Sequence, residues 1–140
     1  MKLTALRPIL YTKQVKFTIE FYIEMLGFTC NGISEDGNWA TLSRDEVEIM
    51  ISYPNEHVPF DKPNFTGSIY ITVNNVDELW DQLKVVTQIC YDLETFDYGM
   101  REFAIYDNNG YLLQFGQPVQ DKLSLYEAKR QSRRTFFSRV

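Results

Sequence analysis

The feature that most constrains this chain is a pattern that occurs twice. A strand, an amphipathic helix and three short strands follow one another from residue 3 to residue 53. The same series returns from residue 67 to residue 115, a period of about 60 residues. In the first copy, Leu3–Thr12 interleaves apolar and polar residues as a strand does. Val15, Ile19, Tyr22, Ile23 and Leu26 then form the apolar stripe of a helix over residues 14–26, and Gly27 suits its C-terminal cap. Strands are expected at 28–34, 38–42 and 47–53, separated by polar turns. In the second copy, 67–73 is a strand and Asn75 caps a helix over 76–85 whose inner face carries Val76, Leu79, Trp80 and Leu83. Strands follow at 88–91, 101–106 and 111–115, the last two joined by the hairpin turn Asp107-Asn108-Asn109-Gly110.

The stretch 54–65 between the copies holds Pro54, Pro59 and Pro63, so it is a connector rather than a central strand or helix. Neither copy alone would bury much surface, so the two must pack together or exchange with a partner chain. The expected fold is therefore α+β: one domain over residues 1–118, made of two tandem βαβββ units (1–58 and 66–118) that form a cupped mixed sheet. Residues 119–140 are a basic C-terminal extension, with a helix-compatible run at 124–134.

Charge separates the extension from the body. Residues 1–120 hold 8 of the 14 Lys/Arg and 17 of the 19 Asp/Glu. An acidic body argues against nucleic acid as a partner and favours cationic ligands. No apolar run approaches the roughly 20 residues that span a bilayer, and residues 1–7 lack the apolar core of a signal peptide. The expectation is a soluble cytoplasmic protein with no membrane partner. Cys30 and Cys90 lack the spacing of a zinc or redox motif and are expected to be small buried apolar residues. No GxSxG, HExxH, P-loop or GxGxxG pattern is present, and the one histidine, His57, lies in the connector.

Three segments resemble the vicinal oxygen chelate superfamily, which includes glyoxalase I, extradiol dioxygenases and bleomycin resistance proteins. They are Phe21-Tyr22-Ile23-Glu24-Met25-Leu26-Gly27-Phe28, the strand-to-helix junction Ile71–Leu79, and Tyr98–Gln117. In the last, Gly99-Met100-Arg101-Glu102-Phe103-Ala104 followed by Asp107-Asn108-Asn109-Gly110 and Phe115 is similar to the bleomycin-resistance branch. The resemblance covers about residues 3–118. It implies four inward metal-ligand positions, which fall on Arg7, Met50, Ser68 and Gln114, with Glu48 the alternative to Met50 two residues away on the same strand face. Arginine has no lone pair to offer, methionine is soft and serine a weak neutral ligand, so the expectation is no metal and no other cofactor.

Without a metal, the implied cleft is an aromatic-lined groove, with Trp39, Tyr53, Tyr70, Phe96, Tyr98 and Phe103 as candidate walls. The expected ligand contacts are Arg7, Trp39, Met50, Ser68, Tyr98, Arg101, Phe103 and Gln114, with no catalytic residue. Pairing across the Asp107–Gly110 turn puts Arg101 and Phe103 on the groove face. A slip of one residue would turn Glu102 inward instead. The resemblance further implies a homodimer that binds and sequesters a small cationic, aromatic molecule, as in antibiotic resistance. The competing reading is a glyoxalase-like lyase or dioxygenase relative. A third makes the chain a regulatory protein with the basic tail as its contact element.

Overall fold

The computed structural model describes residues 1–119, 127 and 129–135. The chain divides into two compact units: Met1–Thr66 with Asp107–Tyr111, and Gly67–Tyr106 with Leu112–Val140.

The first unit holds β1 (Ile9–Tyr11), α1 (Val15–Glu24), β2 (Thr29–Ile33), β3 (Trp39–Arg44) and β4 (Val47–Ser52). Its strands form one sheet in the order β1-β4-β3-β2, with β1 parallel to β4 and the other pairs antiparallel. The expected first strand was longer. Pro8 has no N–H to give a ladder, and pairing starts where the Met50 amide donates to the Pro8 carbonyl. Leu10, Ala40, Leu42, Ile49 and Ile51 are buried together with Val15, Ile19 and Tyr22 of α1 and with Leu26 just after it. The helix stripe differs from the sequence reading at one step: Ile23 is exposed and Thr18 is buried. The reason is polar. The Thr18 hydroxyl donates to the Gln14 carbonyl and accepts from the side-chain amides of Asn108 and Asn109. The Tyr22 hydroxyl donates to buried Asp107 at 2.9 Å. The 107–111 turn is thus bonded to α1, and Gly110 at its end takes the positive φ that its position requires.

Gly27, also at positive φ, ends the α1 segment, and the Arg44 guanidinium donates to the free Leu26 carbonyl at 2.8 Å. Pro54–Phe65 forms neither strand nor helix, as three prolines dictate.

The second unit holds β5 (Ile69–Thr72), α2 (Val76–Leu83), β6 (Gln88–Thr95), β7 (Met100–Tyr106) and β8 (Leu112–Pro118). The sheet order is β5-β8-β7-β6, with β5 parallel to β8, which repeats the topology of the first unit. Asn75 caps α2 as expected: its side chain accepts from the Glu78 amide. Val76, Leu79 and Leu83 of α2 are buried, as are Ile71, Phe103, Ile105, Leu113 and Phe115 on one face of the sheet. Residues 127 and 129–135 are helical, within the expected extension, whereas 120–126, 128 and 136–140 lie outside the described residues.

The cysteines correct the sequence reading. Cys30 is half-buried and Cys90 is exposed. Both sit on edge strands where the pairing register shifts, so neither is drawn into a core. Among the described residues no helix is long and apolar enough to cross a membrane.

Candidate functional site

Strand alternation gives each sheet a helix-covered face and an open one. In the second unit, β7 alternates Arg101, Phe103 and Ile105 with Glu102 and Ala104. The register pairs Phe103 with Phe115, Ala104 with Gln114 and Glu102 with Gly116. Phe103 therefore lies under α2: it is fully buried, 5.2 Å from the Trp80 ring and 5.3 Å from that of Phe115. Arg101 points the same way. Its Nε and Nη2 hold the Asp77 carboxylate of α2 at 2.8–3.2 Å, and its Nη1 donates to Thr95. The groove-face assignment of Arg101 and Phe103 is thus corrected by one residue. Their neighbour Glu102 takes the open face, because the apolar ring of Phe103 gains most from α2.

Glu102 is 2% exposed. Burying a carboxyl costs several kcal/mol unless hydrogen bonds replace its water. Three phenols supply them: Tyr70 donates to Oε2 at 2.5 Å, Tyr91 to Oε1 at 3.2 Å, and Tyr98 to Oε1. The Gln114 amide donates to the Tyr91 oxygen at 2.8 Å, and the Ser68 hydroxyl donates to the Gln114 carbonyl oxygen. The result is a directed chain, Ser68 to Gln114 to Tyr91 to Glu102, flanked by two more phenols. Burial of the hydroxyl ends, then the bond to Glu102 and its charge, push Tyr70 and Tyr98 well above the ordinary tyrosine range. Tyr91 is raised too, first by burial, against a lowering contact from Gln114.

Gly116 is part of this arrangement. A Cβ there would lie 2.7 Å from Cζ and 3.1 Å from Cε1 of Tyr70, with the hydroxyl oxygen nearer still. The missing side chain lets the Tyr70 phenol cross β8 to reach Glu102. Around the carboxyl, Phe96 and Tyr98 stack at 5.4 Å and 6°, and Tyr91 meets Phe96 edge-on at 5.8 Å. Tyr70 and Tyr98 are nonetheless exposed residues, at 43% and 61%.

In the first unit, the open face carries Trp39, Thr41 and Ser43, paired with Ser52, Met50 and Glu48. Met50 also pairs with Ile9 of β1. Arg7, just before that strand, forms an ion pair with Glu48. The two alternatives for the second ligand position, Glu48 and Met50, thus share one face, as their spacing requires.

These residues do not fit the metal that the resemblance brings to mind. In the first unit the one carboxylate at a ligand position is committed to the Arg7 guanidinium. In the second, the Gln114 oxygen already accepts from Ser68, and the Glu102 oxygens are taken by three hydroxyls. Among the described residues no three His, Cys, Asp or Glu side chains gather as a metal would need.

The sequence reading puts Arg7, Met50, Ser68 and Gln114 in one groove, with Trp39 and Tyr98 as walls; the structure places Ser68, Tyr98 and Gln114 together in the second unit, and Arg7, Trp39 and Met50 on the open face of the first. The sequence reading places Glu102 inward only as the product of a register slip, counts Tyr70 among wall aromatics, and passes over Tyr91. The available signal was a carboxylate leading directly into the apolar run Phe103-Ala104-Ile105, which on a covered strand must find partners.

The family model of the glyoxalase/bleomycin resistance protein/dioxygenase superfamily matches residues 4–115. Among solved structures, TioX from Micromonospora sp. ML1 is similar with a TM-score of 0.68 at 16% identity, covering 83% of this chain and 99% of that one. A glyoxalase/bleomycin resistance protein/dioxygenase from Nocardioides gives 0.69 at 14% identity, covering 86% of each chain. Lactoylglutathione lyase from Agrobacterium tumefaciens gives 0.61 at 14% identity, covering 84% of this chain and 96% of that one. No curated protein matches. At such identities the structures establish the fold, and the family model carries the assignment: the chain belongs to the glyoxalase/bleomycin resistance protein/dioxygenase superfamily.

Proposed function

We propose that this protein binds and sequesters a small ring-bearing molecule without a metal, in the manner of a bleomycin resistance protein, as a cytoplasmic homodimer. The observation that carries this reading is the open face of the second unit. There a buried carboxyl organises three phenols, and the stacked Phe96–Tyr98 pair presents a rigid aromatic surface. Rigid rings with polar tips suit planar heteroaromatic ligands and lose little entropy on binding. Every polar group of the network is engaged in holding another, an arrangement suited to holding a shape rather than transferring a proton or attacking a carbonyl. Tyr98, Ser68 and Gln114 are the proposed contacts on this face. Arg7, Trp39 and Met50, on the open face of the first unit, are tested by their own variants.

Ligand-induced thermal shift against a panel of glycopeptide antibiotics tests the reading. A stabilising member that Tyr98→Ala no longer responds to supports it; a panel with no response counts against it. The lactoylglutathione lyase among the similar structures favours one competing reading, a glyoxalase-like lyase. Chelator-sensitive glyoxalase activity of the purified protein would establish that alternative. Light scattering at micromolar concentration tests the dimer.

A further inference from the structure

The Glu102 network has a direction, and the direction selects a ligand. Three O–H donors converge on the two oxygens of one carboxyl, which accepts from all of them. The amide of Gln114 and the hydroxyl of Ser68 point their protons along the same chain. What Tyr70 and Tyr98 keep for a ligand is therefore lone pairs. Hydrogen bonding to an anion enriches those oxygens and makes them stronger acceptors.

A second observation concerns charge. Among the described residues Glu102 has no cationic partner: the ion pairs are Arg7–Glu48, Lys84–Asp81 and Arg101–Asp77. Arg101, adjacent in sequence, is turned to the other face and held there by both oxygens of Asp77. Among the described residues the Glu102 carboxyl is thus met by phenols and by no cation. The stacked Phe96 and Tyr98 rings add the negative side of their quadrupoles.

We propose that this face recognises the cationic, hydrogen-bond-donating end of its ligand, a protonated amine, amidinium or guanidinium, through the Tyr70 and Tyr98 oxygens, with Glu102 as the buried counter-charge. The proposal rests on the small-molecule-binding reading and adds the residues that meet the cationic end and the direction of their hydrogen bonds. Gly116 is then a specificity-determining residue, because it admits the Tyr70 phenol to the carboxyl.

The test uses three probes that share one ring and differ in charge: benzamidine, benzamide and benzoate. Affinities are measured by NMR titration on the full chain at constant ionic strength. Benzamidine should bind about tenfold more tightly than benzamide, with benzoate weakest. Glu102→Gln, which turns an acceptor into a donor, should bring the benzamidine-to-benzamide ratio towards one. Should that variant fail to fold, Tyr98→Phe, at an exposed position that keeps its ring, should lower the same ratio several-fold. Benzoate binding as tightly as benzamidine would overturn the proposal. So would a cation preference that survives both variants, since the acidic body as a whole would then be its source. The underlying reading is judged separately: antibiotic-panel members that bind without regard to charge would sink the proposal and leave that reading standing. A chain that binds neither panel nor probes would sink both.

Discussion

Replacing Gly116 with alanine should destabilise the protein, and the same change should stabilise it once Tyr70 is gone. Gly116 lies in β8 and is not among the residues at positive φ, so its backbone conformation suits any residue. On backbone grounds alone, alanine in place of glycine in a strand is worth roughly 0.5–1 kcal/mol of added stability. The obstacle is the Tyr70 phenol. To bring its Cζ from 2.7 Å out to an ordinary 3.4 Å contact, the ring must swing away from β8, and its hydroxyl, at the far end, moves furthest. That movement breaks the 2.5 Å bond to Glu102 and leaves a buried carboxyl one donor short. A hydrogen bond to a charged group contributes about 1.5–3 kcal/mol, so Gly116→Ala should cost roughly 1–2 kcal/mol net.

Tyr70→Ala removes all three of the atoms that a Cβ would meet first. In that background Gly116→Ala should become stabilising by about 0.5–1 kcal/mol. Urea denaturation of the four proteins in this cycle gives both numbers, with unchanged m-values as the condition for comparing them. If Gly116→Ala is neutral alone, or costs the same with and without Tyr70, the phenol is not held across the strand and the reasoning fails.

Other perturbations read other parts of the molecule. Burial raises the Asp107 carboxyl above its ordinary pKa, and the bond from Tyr22 opposes that rise. Tyr22→Phe should therefore raise it further and cost about 1.5–3 kcal/mol at neutral pH. Because protonation relieves a raised carboxyl, this deficit should shrink as pH falls towards 4; a deficit that grows on acidification, in melts across pH, would contradict the assignment. Tyr70, Tyr91 and Tyr98 are held protonated above the ordinary range, so their stabilising contribution is complete below about pH 10 and is lost as pH rises beyond it. An absorbance titration should show fewer early phenolates in the wild type than in Glu102→Gln. Trp80→Ala should cost about 2–3 kcal/mol by unpacking Phe103, without altering ligand affinity. Trp39→Ala should weaken binding roughly 5- to 150-fold while the fold persists; unchanged affinity would show that Trp39 makes no ligand contact.

The repeat, the helix ends and the turns were legible because each rests on a local rule. Gly27 and Gly110 occupy positive φ and Asn75 caps its helix, and each is decided within a few residues. Misreadings arose where a choice between two faces had to be made. Alternation states that Glu102 and Phe103 point oppositely, and nothing in a period of two says which of them meets α2. The register with β8 decides it, and that is a long-range fact. Thr18 in place of Ile23 has the same origin, since its inward turn depends on Asn108 and Asn109, some ninety residues away. Strand β6 runs to Thr95 rather than Tyr91 because two register shifts absorb residues that break the alternation. The Tyr70, Tyr91 and Tyr98 cluster gathers three separate segments on one carboxyl, so no window of sequence displays it.

Two units of one topology have come to differ in how they treat charge on their open faces. In the first, Arg7 meets Glu48, and the pair satisfies itself. In the second, the potential partner Arg101 is one residue out of phase with the open face and is spent on Asp77, so that among the described residues Glu102 is held by hydroxyls. A carboxyl satisfied by a guanidinium presents little field to a ligand; one satisfied by phenols leaves the lone pairs of their oxygens to face outward. The fold is common to both units and to relatives at 14–16% identity, so it cannot be what selects a ligand. Selection falls to the phase of one strand, which sends Arg101 to the helix and Glu102 to the phenols, and to one missing side chain at Gly116 that lets Tyr70 arrive.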